Sequence, residues 1–484
     1  MALRKIPNQP SRLFSRRCAL GRLGAGFGSL ALADLVSKES ARAELGTSSH
    51  HPARARSVIF LYMTGGPSQI DTFDPKPKLR QVEGQHPSYK TDIHVYKGLG
   101  YRPSSFRFRR CGNSGTEVSE LFPHFRRVVD DVCVVRSMTT DIPNHEPGNY
   151  LMNSGAMLPN RPSMGAWVSY GLGSANHNLP GFVVLSPGLP TCGRRLWSNV
   201  FLPAAHQGTY VNTDHMRLDE MVGDIRNPLL SRPEQKQQLE LARRLNTLSV
   251  GTGPPERVFD DQIKTMELAF RMQFAAAEAF DIGQETQSVR DAYGSTDFAH
   301  TCLLARRLAE RGVRFIQIYY TQSQEGTLIG ESLNQPWDTH TENDRKLRNL
   351  AADSDRPVTA LIEDLKQRGM LDETLVVWGG EFGRTPFAQK QDNAKRASLA
   401  FGRDHHHRAF TMWLAGGGVR GGLNYGATDE LGMSVVENEV HVHDLHATIL
   451  HLLGVDHTRL TYRYGGRDFR LTDVYGNVVD DILS

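Results

Sequence analysis

Four groups of acidic and imidazole side chains stand out in this 484-residue chain: Asp71, the pair Asp338 and His340, Glu381, and the run Asp404-His405-His406. Carboxylate and imidazole are the oxygen and nitrogen donors of divalent-metal centres, and such an ion polarises an ester oxygen or activates water. A lone Asp-x-His is usually a pair of solvated polar residues. Several such groups, each just after an apolar strand-like run, point elsewhere, because the carboxyl ends of parallel strands open on one crevice where residues distant in sequence meet. The expectation is a metallohydrolase site drawing on Asp71, Asp338, His340, Glu381, Asp404, His405 and His406.

The elements that must position these residues are readable as short apolar runs separated by long segments. Val58-Ile59-Phe60-Leu61-Tyr62-Met63, closed by Thr64-Gly65-Gly66-Pro67, has the pattern of a buried parallel strand and its loop. Val132 to Val135, Phe182 to Leu185, Phe315 to Tyr319, Leu375 to Trp378 and Phe410 to Leu414 have the same pattern. Helices are expected at 299–311, at 358–367 with Pro357 at its start, and from Asp444 to a stop at Gly454. The alternation predicts an α/β fold with a mainly parallel sheet. Residues 234–291 are rich in Ala, Glu, Gln, Arg and Met and are expected to form a helical insertion. The basic and aromatic stretch 89–113 is expected to be a surface loop.

Ser15-Arg16-Arg17-Cys18-Ala19-Leu20, a Gly/Ala-rich stretch to about Leu35 and Ala41-Arg42-Ala43 follow the order of a twin-arginine export signal. The expected organisation is a signal over 1–43, a polar linker over 44–56 and one α/β domain over 57–484, exported to the periplasm or beyond. Removing the signal turns the formal charge of +3 into about −3, so the basic balance belongs to the signal and gives no support for nucleic-acid binding. Nothing after it approaches the roughly eighteen apolar residues of a membrane span. Cys111, Cys133, Cys192 and Cys302 lack metal or redox spacing. One or two bridges and plain buried thiols are both open readings, and nothing in the sequence addresses oligomeric state.

Longer motifs carry a family resemblance. Thr64-Gly65-Gly66-Pro67-Ser68-Gln69-Ile70-Asp71-Thr72-Phe73-Asp74-Pro75, Gly380-Glu381-Phe382-Gly383-Arg384-Thr385-Pro386 and Gly402-Arg403-Asp404-His405-His406 with Ala415-Gly416-Gly417-Gly418 resemble, in this order, domain of unknown function 1501. That exported bacterial family resembles in turn the alkaline phosphatase and sulfatase superfamily. The resemblance implies an alkaline-phosphatase-like sheet flanked by helices and one or two divalent ions. By it, Asp338 and His340 lie at metal positions, Glu381 at a further metal carboxylate, and one of His405 and His406 at a later metal histidine. Asp71, rather than the turn-forming Asp74, lies near the first metal carboxylate.

The same resemblance places Asn144-His145-Glu146-Pro147-Gly148 over the sulfatase nucleophile helix, with His145 at the cysteine position, so no formylglycine can form. His145 is therefore a candidate ligand, general acid or base, or nucleophile. Ser68 and Ser154 are alternative nucleophiles without a visible base, and Arg384 is a candidate oxyanion binder. Phe382 stands where the superfamily has a further histidine ligand. Mixed carboxylate and imidazole ligation suits zinc or manganese better than calcium, with zinc preferred. The implied substrate is a small anionic ester or a sulfated or phosphorylated polymer. An exported binding or surface-assembly protein without turnover is the alternative.

Overall fold

The computed structural model describes residues 49–87, 98–223, 229–249, 257–390 and 401–484. The signal and residues 44–48 of the linker expected from the sequence lie outside them. The strands of the central sheet are β1 (Ser57–Tyr62), β2 (Val132–Thr139), β3 (Phe182–Ser186), β4 (Thr209–Asn212), β5 (Phe315–Tyr319), β6 (Thr374–Gly379), β7 (Phe410–Ala415), β8 (Leu423–Tyr425) and β9 (Val440–His441). In space they run β8-β2-β7-β6-β1-β5-β3-β4, with β9 beside β2. Every neighbouring pair is parallel except the two made by β7, which is antiparallel to both β2 and β6.

The apolar runs are strands because both faces of the sheet are covered. Ile59 and Leu61 of β1 enter one core and Val58, Phe60 and Tyr62 the other, the period of two that a pleated strand imposes. The second face carries α1 (His145–Ser154), α2 (Met164–Leu172) and the late helix Val442–Leu452, through Leu151, Trp167 and Ile449. The first face carries Asp297–Glu310 and Asn343–Gln367, through Leu304, Leu308, Leu347 and Leu361. Trp378 of β6 stacks on Trp413 of β7 with centroids 5.9 Å apart and planes 2° apart, and Trp337 meets Trp378 edge-on at 6.2 Å. Trp337 immediately precedes Asp338.

Four local expectations are corrected. The Phe410 run is antiparallel, so the residues that precede it, not those that follow it, reach the crevice edge. The helix expected to begin at Pro357 begins at Asn343 and carries Pro357 inside it. Leu347, Leu350, Leu361, Ile362 and Leu365 share one buried stripe, and its burial outweighs the ~3 kcal/mol that an interior proline costs. The described part of the 89–113 stretch contains strand Phe108–Cys111, paired as a hairpin with Thr116–Ser119. The late helix begins at Val442, because His441 caps it and Asp444 reaches back to the His441 N–H at 2.9 Å, a reciprocal cap.

Within 234–291 the structure shows helices Arg232–Ser249, Arg257–Ala279 and Gln287–Tyr293. All four cysteines outside the signal are free thiols. Among the described residues no helix is long and apolar enough to cross a membrane.

Candidate metal centre

The topology explains why distant residues meet. Strand β1 ends in a tight turn at Gly65 and Gly66, both at positive φ, and a side chain on Gly65 would meet the Asp338 backbone nitrogen at 2.4 Å. Glycine lets the turn lie against the loop that carries Asp338 and His340. Strand β2 leaves the same edge of the sheet and leads into α1, whose first residue is His145. Because β7 runs the other way, the chain entering it passes this edge first. There His405-His406 pairs antiparallel with Gly383-Arg384, and Arg384 sits opposite His405.

Four of the candidate residues converge: His145, Asp338, His340 and His405 each offer a ligand atom, all within 4.8 Å of one another. His340 Nε2 is 2.9 Å from His405 Nε2 and 2.9 Å from Asp338 Oδ1, and His405 Nε2 is 3.1 Å from that same oxygen. His145 Nε2 lies 3.1 Å from Asp338 Oδ2, off the hydrogen-bonding line, and is buried without a hydrogen-bond partner. A tetrahedral ion with bonds of about 2.0–2.1 Å has ligand-to-ligand edges of about 3.3 Å, so these spacings are of the right scale.

The other ring nitrogens decide what the cluster is for. His145 Nδ1 faces Glu381 Oε1 at 2.7 Å, His405 Nδ1 faces the Pro143 carbonyl at 2.6 Å and His340 Nδ1 faces Gln389 Oε1 at 2.6 Å. Each partner is an acceptor, so each Nδ1 carries the donated hydrogen, and in the neutral rings the Nε2 lone pairs are left pointing inward. Lone pairs gathered on a carboxylate repel unless a proton or a cation lies between them. Nδ1–H given to an oxygen with Nε2 left free is also the arrangement of metal-bound histidine. The residues present fit a divalent cation.

The electrostatics agree. Burial alone would lower the pKa of His145, but its contacts with Asp338 and Glu381 outweigh this and push it up to about 9. Burial takes His405 down to about 4, helped by the charges of Arg384 and His145. Burial would raise Asp338; instead the Arg384 charge and its three imidazole contacts hold it well below the usual carboxylate range. Without an ion, one proton on His145 thus does part of a cation's work.

The remaining candidates stand outside the quartet. Glu381 is fully buried and touches it through His145 alone, its oxygens also accepting the Gly65 N–H at 3.0 and 3.3 Å. Asp71 is buried in an ion pair with Arg403, Oδ2 to Nε 2.8 Å, and takes hydrogen bonds from Ser68 and Asn343. Asp404 Oδ1 accepts the His405 backbone N–H at 2.8 Å. His406 alternates to the other side of its strand, where Nε2 meets the Gly432 carbonyl at 3.0 Å. Arg384 is fully buried and donates to the carbonyls of Gly65, Gly66, Trp337 and Arg403 as well as to Asp338, so its guanidinium faces protein oxygens. The Ser68 hydroxyl donates to Asp71 and that of Ser154 to the Tyr150 carbonyl. Phe382 packs beside His145 and His405, with ring centroids 4.9 and 4.5 Å away.

Sequence reasoning did not find Gln389, the Pro143 carbonyl or the role of Gln69, which pairs with the Arg384 backbone through two 2.8 Å hydrogen bonds. Pro143 lies two residues before His145 and was within reach of the sequence; Gln389 carried no signal.

Solved structures align with this chain at low identity and low TM-score. The lipoteichoic acid synthase LtaP from Listeria monocytogenes aligns over 88% of this chain and 78% of its own, at 9% identity and a TM-score of 0.35. The phosphonate monoester hydrolase SpPMH from Silicibacter pomeroyi aligns over 89% and 76%, at 13% identity and a TM-score of 0.34. The PsFucS1 sulfatase from Pseudoalteromonas sp. aligns over 83% and 68%, at 12% identity and a TM-score of 0.32. No curated protein matches the sequence significantly. The family model described as "Protein of unknown function (DUF1501)" matches residues 55–483, and the chain belongs to that family.

Proposed function

We propose that this protein is an exported, divalent-metal-dependent hydrolase of a phosphate or sulfate ester. The observation that carries the reading is the convergence of three imidazole Nε2 atoms on the Asp338 carboxylate, with every Nδ1 committed to an oxygen. A divalent ion held there supplies Lewis-acid polarisation of an ester oxygen and a water of lowered pKa. Three imidazoles and one carboxylate suit zinc best, then manganese, with calcium the poorest fit.

The chain's own residues do the rest. Asp338, His340, His405 and His145 would hold the ion, while Gln389, Pro143 and Glu381 hold the three rings in register. His145 opens α1, where unpaired backbone N–H groups and the helix dipole favour an anionic substrate group. A small anionic ester and a sulfated or phosphorylated polymer both present the required group.

One observation favours a second reading. Four protein donors around one point form a closed shell, and closed shells are typical of structural rather than catalytic zinc. On that reading the protein binds metal outside the cytoplasm without turnover.

Elemental analysis of the purified mature protein, with a screen of aryl phosphates and aryl sulfates in added zinc or manganese, separates the two. Hydrolysis that falls by about a hundredfold or more in His145→Ala makes His145 part of the chemistry. A metal-loaded wild type inactive on every ester moves the conclusion to the binding protein.

A further inference from the structure

Glu381 touches an imidazole ring of the quartet without joining it. We infer that it is a positioning residue, acting on the metal centre solely through His145, whose ring it holds so that Nε2 rather than Nδ1 is the donor atom. The inference rests on reading the quartet as a metal centre.

The geometry is specific. Glu381 lies just beyond the end of β6, fully buried, and its Oε1 meets His145 Nδ1 at 2.7 Å. Both carboxylate oxygens are also held by the Gly65 N–H, so the group cannot swing toward the ion position without giving up that donor. The opposite nitrogen of the same ring, Nε2, faces Asp338. A direct ligand would share the point on which the Nε2 atoms converge; Glu381 instead lies behind the ring. Turning the imidazole over would place a C–H against a buried carboxylate and leave its charge unpaired, which is costly.

The helix that carries the ring is fixed to the same wall. Buried Tyr62, the last residue of β1, donates to Asn149 Oδ1 at 2.7 Å, one turn along α1 from His145. Its hydroxyl lies against Glu381 as well. Strand β1 therefore holds the carboxylate through Gly65 and the helix through Tyr62. A carboxylate accepting Nδ1–H makes Nε2 a stronger donor, and loss of such a partner lowers metal affinity by about 10–100-fold.

The test is a double-mutant cycle on zinc affinity, measured by competition with a chromophoric chelator. The variants are Glu381→Gln, His145→Asn and the pair together; the asparagine amide can still donate to Glu381 while lacking the Nε2 donor. Glu381→Gln is expected to weaken zinc binding by about 10–100-fold in the wild type and to change it less than about threefold on the His145→Asn background. An undiminished effect on that background makes Glu381 a direct ligand and overturns the inference, as does an unchanged affinity in the single Glu381 variant. If His145→Asn does not fold, as judged by circular dichroism in chelator, His145→Ala, which also lacks the Nε2 donor, takes its place in the cycle, and the same two results support or overturn the inference. A wild type that binds no zinc or manganese fails earlier, at the metal centre itself, and takes the inference with it.

Discussion

Arg384 Nη2 stands 2.6 Å from Asp338 Oδ1, and the same guanidinium gathers carbonyls from the β1 turn, the Asp338 loop and the approach to His405. One buried cation thus ties together three of the segments that build the site. Replacing it should remove the strongest charge facing Asp338 and leave several carbonyls unpaired. Arg384→Met is expected to lower stability in urea by about 3–5 kcal/mol, the usual scale for breaking a buried ion pair. Arg384→Lys should restore only part of this, since one ammonium cannot reach so many acceptors. An unchanged unfolding midpoint for Arg384→Met would show the guanidinium to be dispensable for the fold.

Asp71 offers the complementary case. It pairs with buried Arg403, and although burial would raise its pKa, the Arg403 charge and the hydrogen bonds of Arg403 and Ser68 bring it below the ordinary value. Asp71→Asn is expected to destabilise the fold by about 3 kcal/mol or more while leaving the metal-to-protein ratio of the surviving folded protein unchanged. Loss of metal from folded Asp71→Asn would make Asp71 a ligand.

Acid sensitivity should come in part from histidines far from the site. Burial takes His446 down to about 3 and His206 to about 4. In the unfolded chain both bind protons below about pH 6.5, so the unfolded state carries more protons than the native one. Stability present above that pH is then lost as pH falls toward 4, with a slope of up to about 1.4 kcal/mol per pH unit for each histidine. His446→Leu loses the 2.8 Å hydrogen bond to the Met152 carbonyl and should be less stable at pH 7, yet its urea midpoint should fall less steeply between pH 6 and 4. An identical slope in both proteins would contradict this.

The sheet was legible because its strands are apolar on both faces, which leaves runs such as Val58 to Met63 with no competing helical reading. The direction of β7 was not, since an apolar run looks alike in either sense and only its neighbours fix it. That is also why Asp404-His405-His406 could be grouped but not resolved: the alternation that sends His405 inward and His406 toward Gly432 depends on pairing with Gly383-Arg384. Asp338 and His340 were visible from spacing. Asp71 was not separable from a ligand by residue type, because its partner Arg403 lies 332 residues away.

Export is the expectation carried by residues outside the described structure. Changing Arg16 and Arg17 together to lysine is expected to keep the precursor in the cytoplasm, followed by fractionation and immunoblotting of a tagged full-length chain. Export of the doubly substituted chain at the wild-type level would dismiss the twin-arginine route.

The stacked indoles of Trp378 and Trp413, with Trp337 edge-on beside them, give the molecule an optical gauge at its centre. Trp337 immediately precedes Asp338, and its backbone N–H is tied to the Thr64 carbonyl at 3.0 Å. All five tryptophans are buried, so native emission arises from dry surroundings, and three of the five emitters share one wall. Because Trp337 adjoins Asp338 in the chain, titrating zinc into the protein is expected to shift its intrinsic tryptophan emission without any label, and an unchanged spectrum on full loading would contradict this.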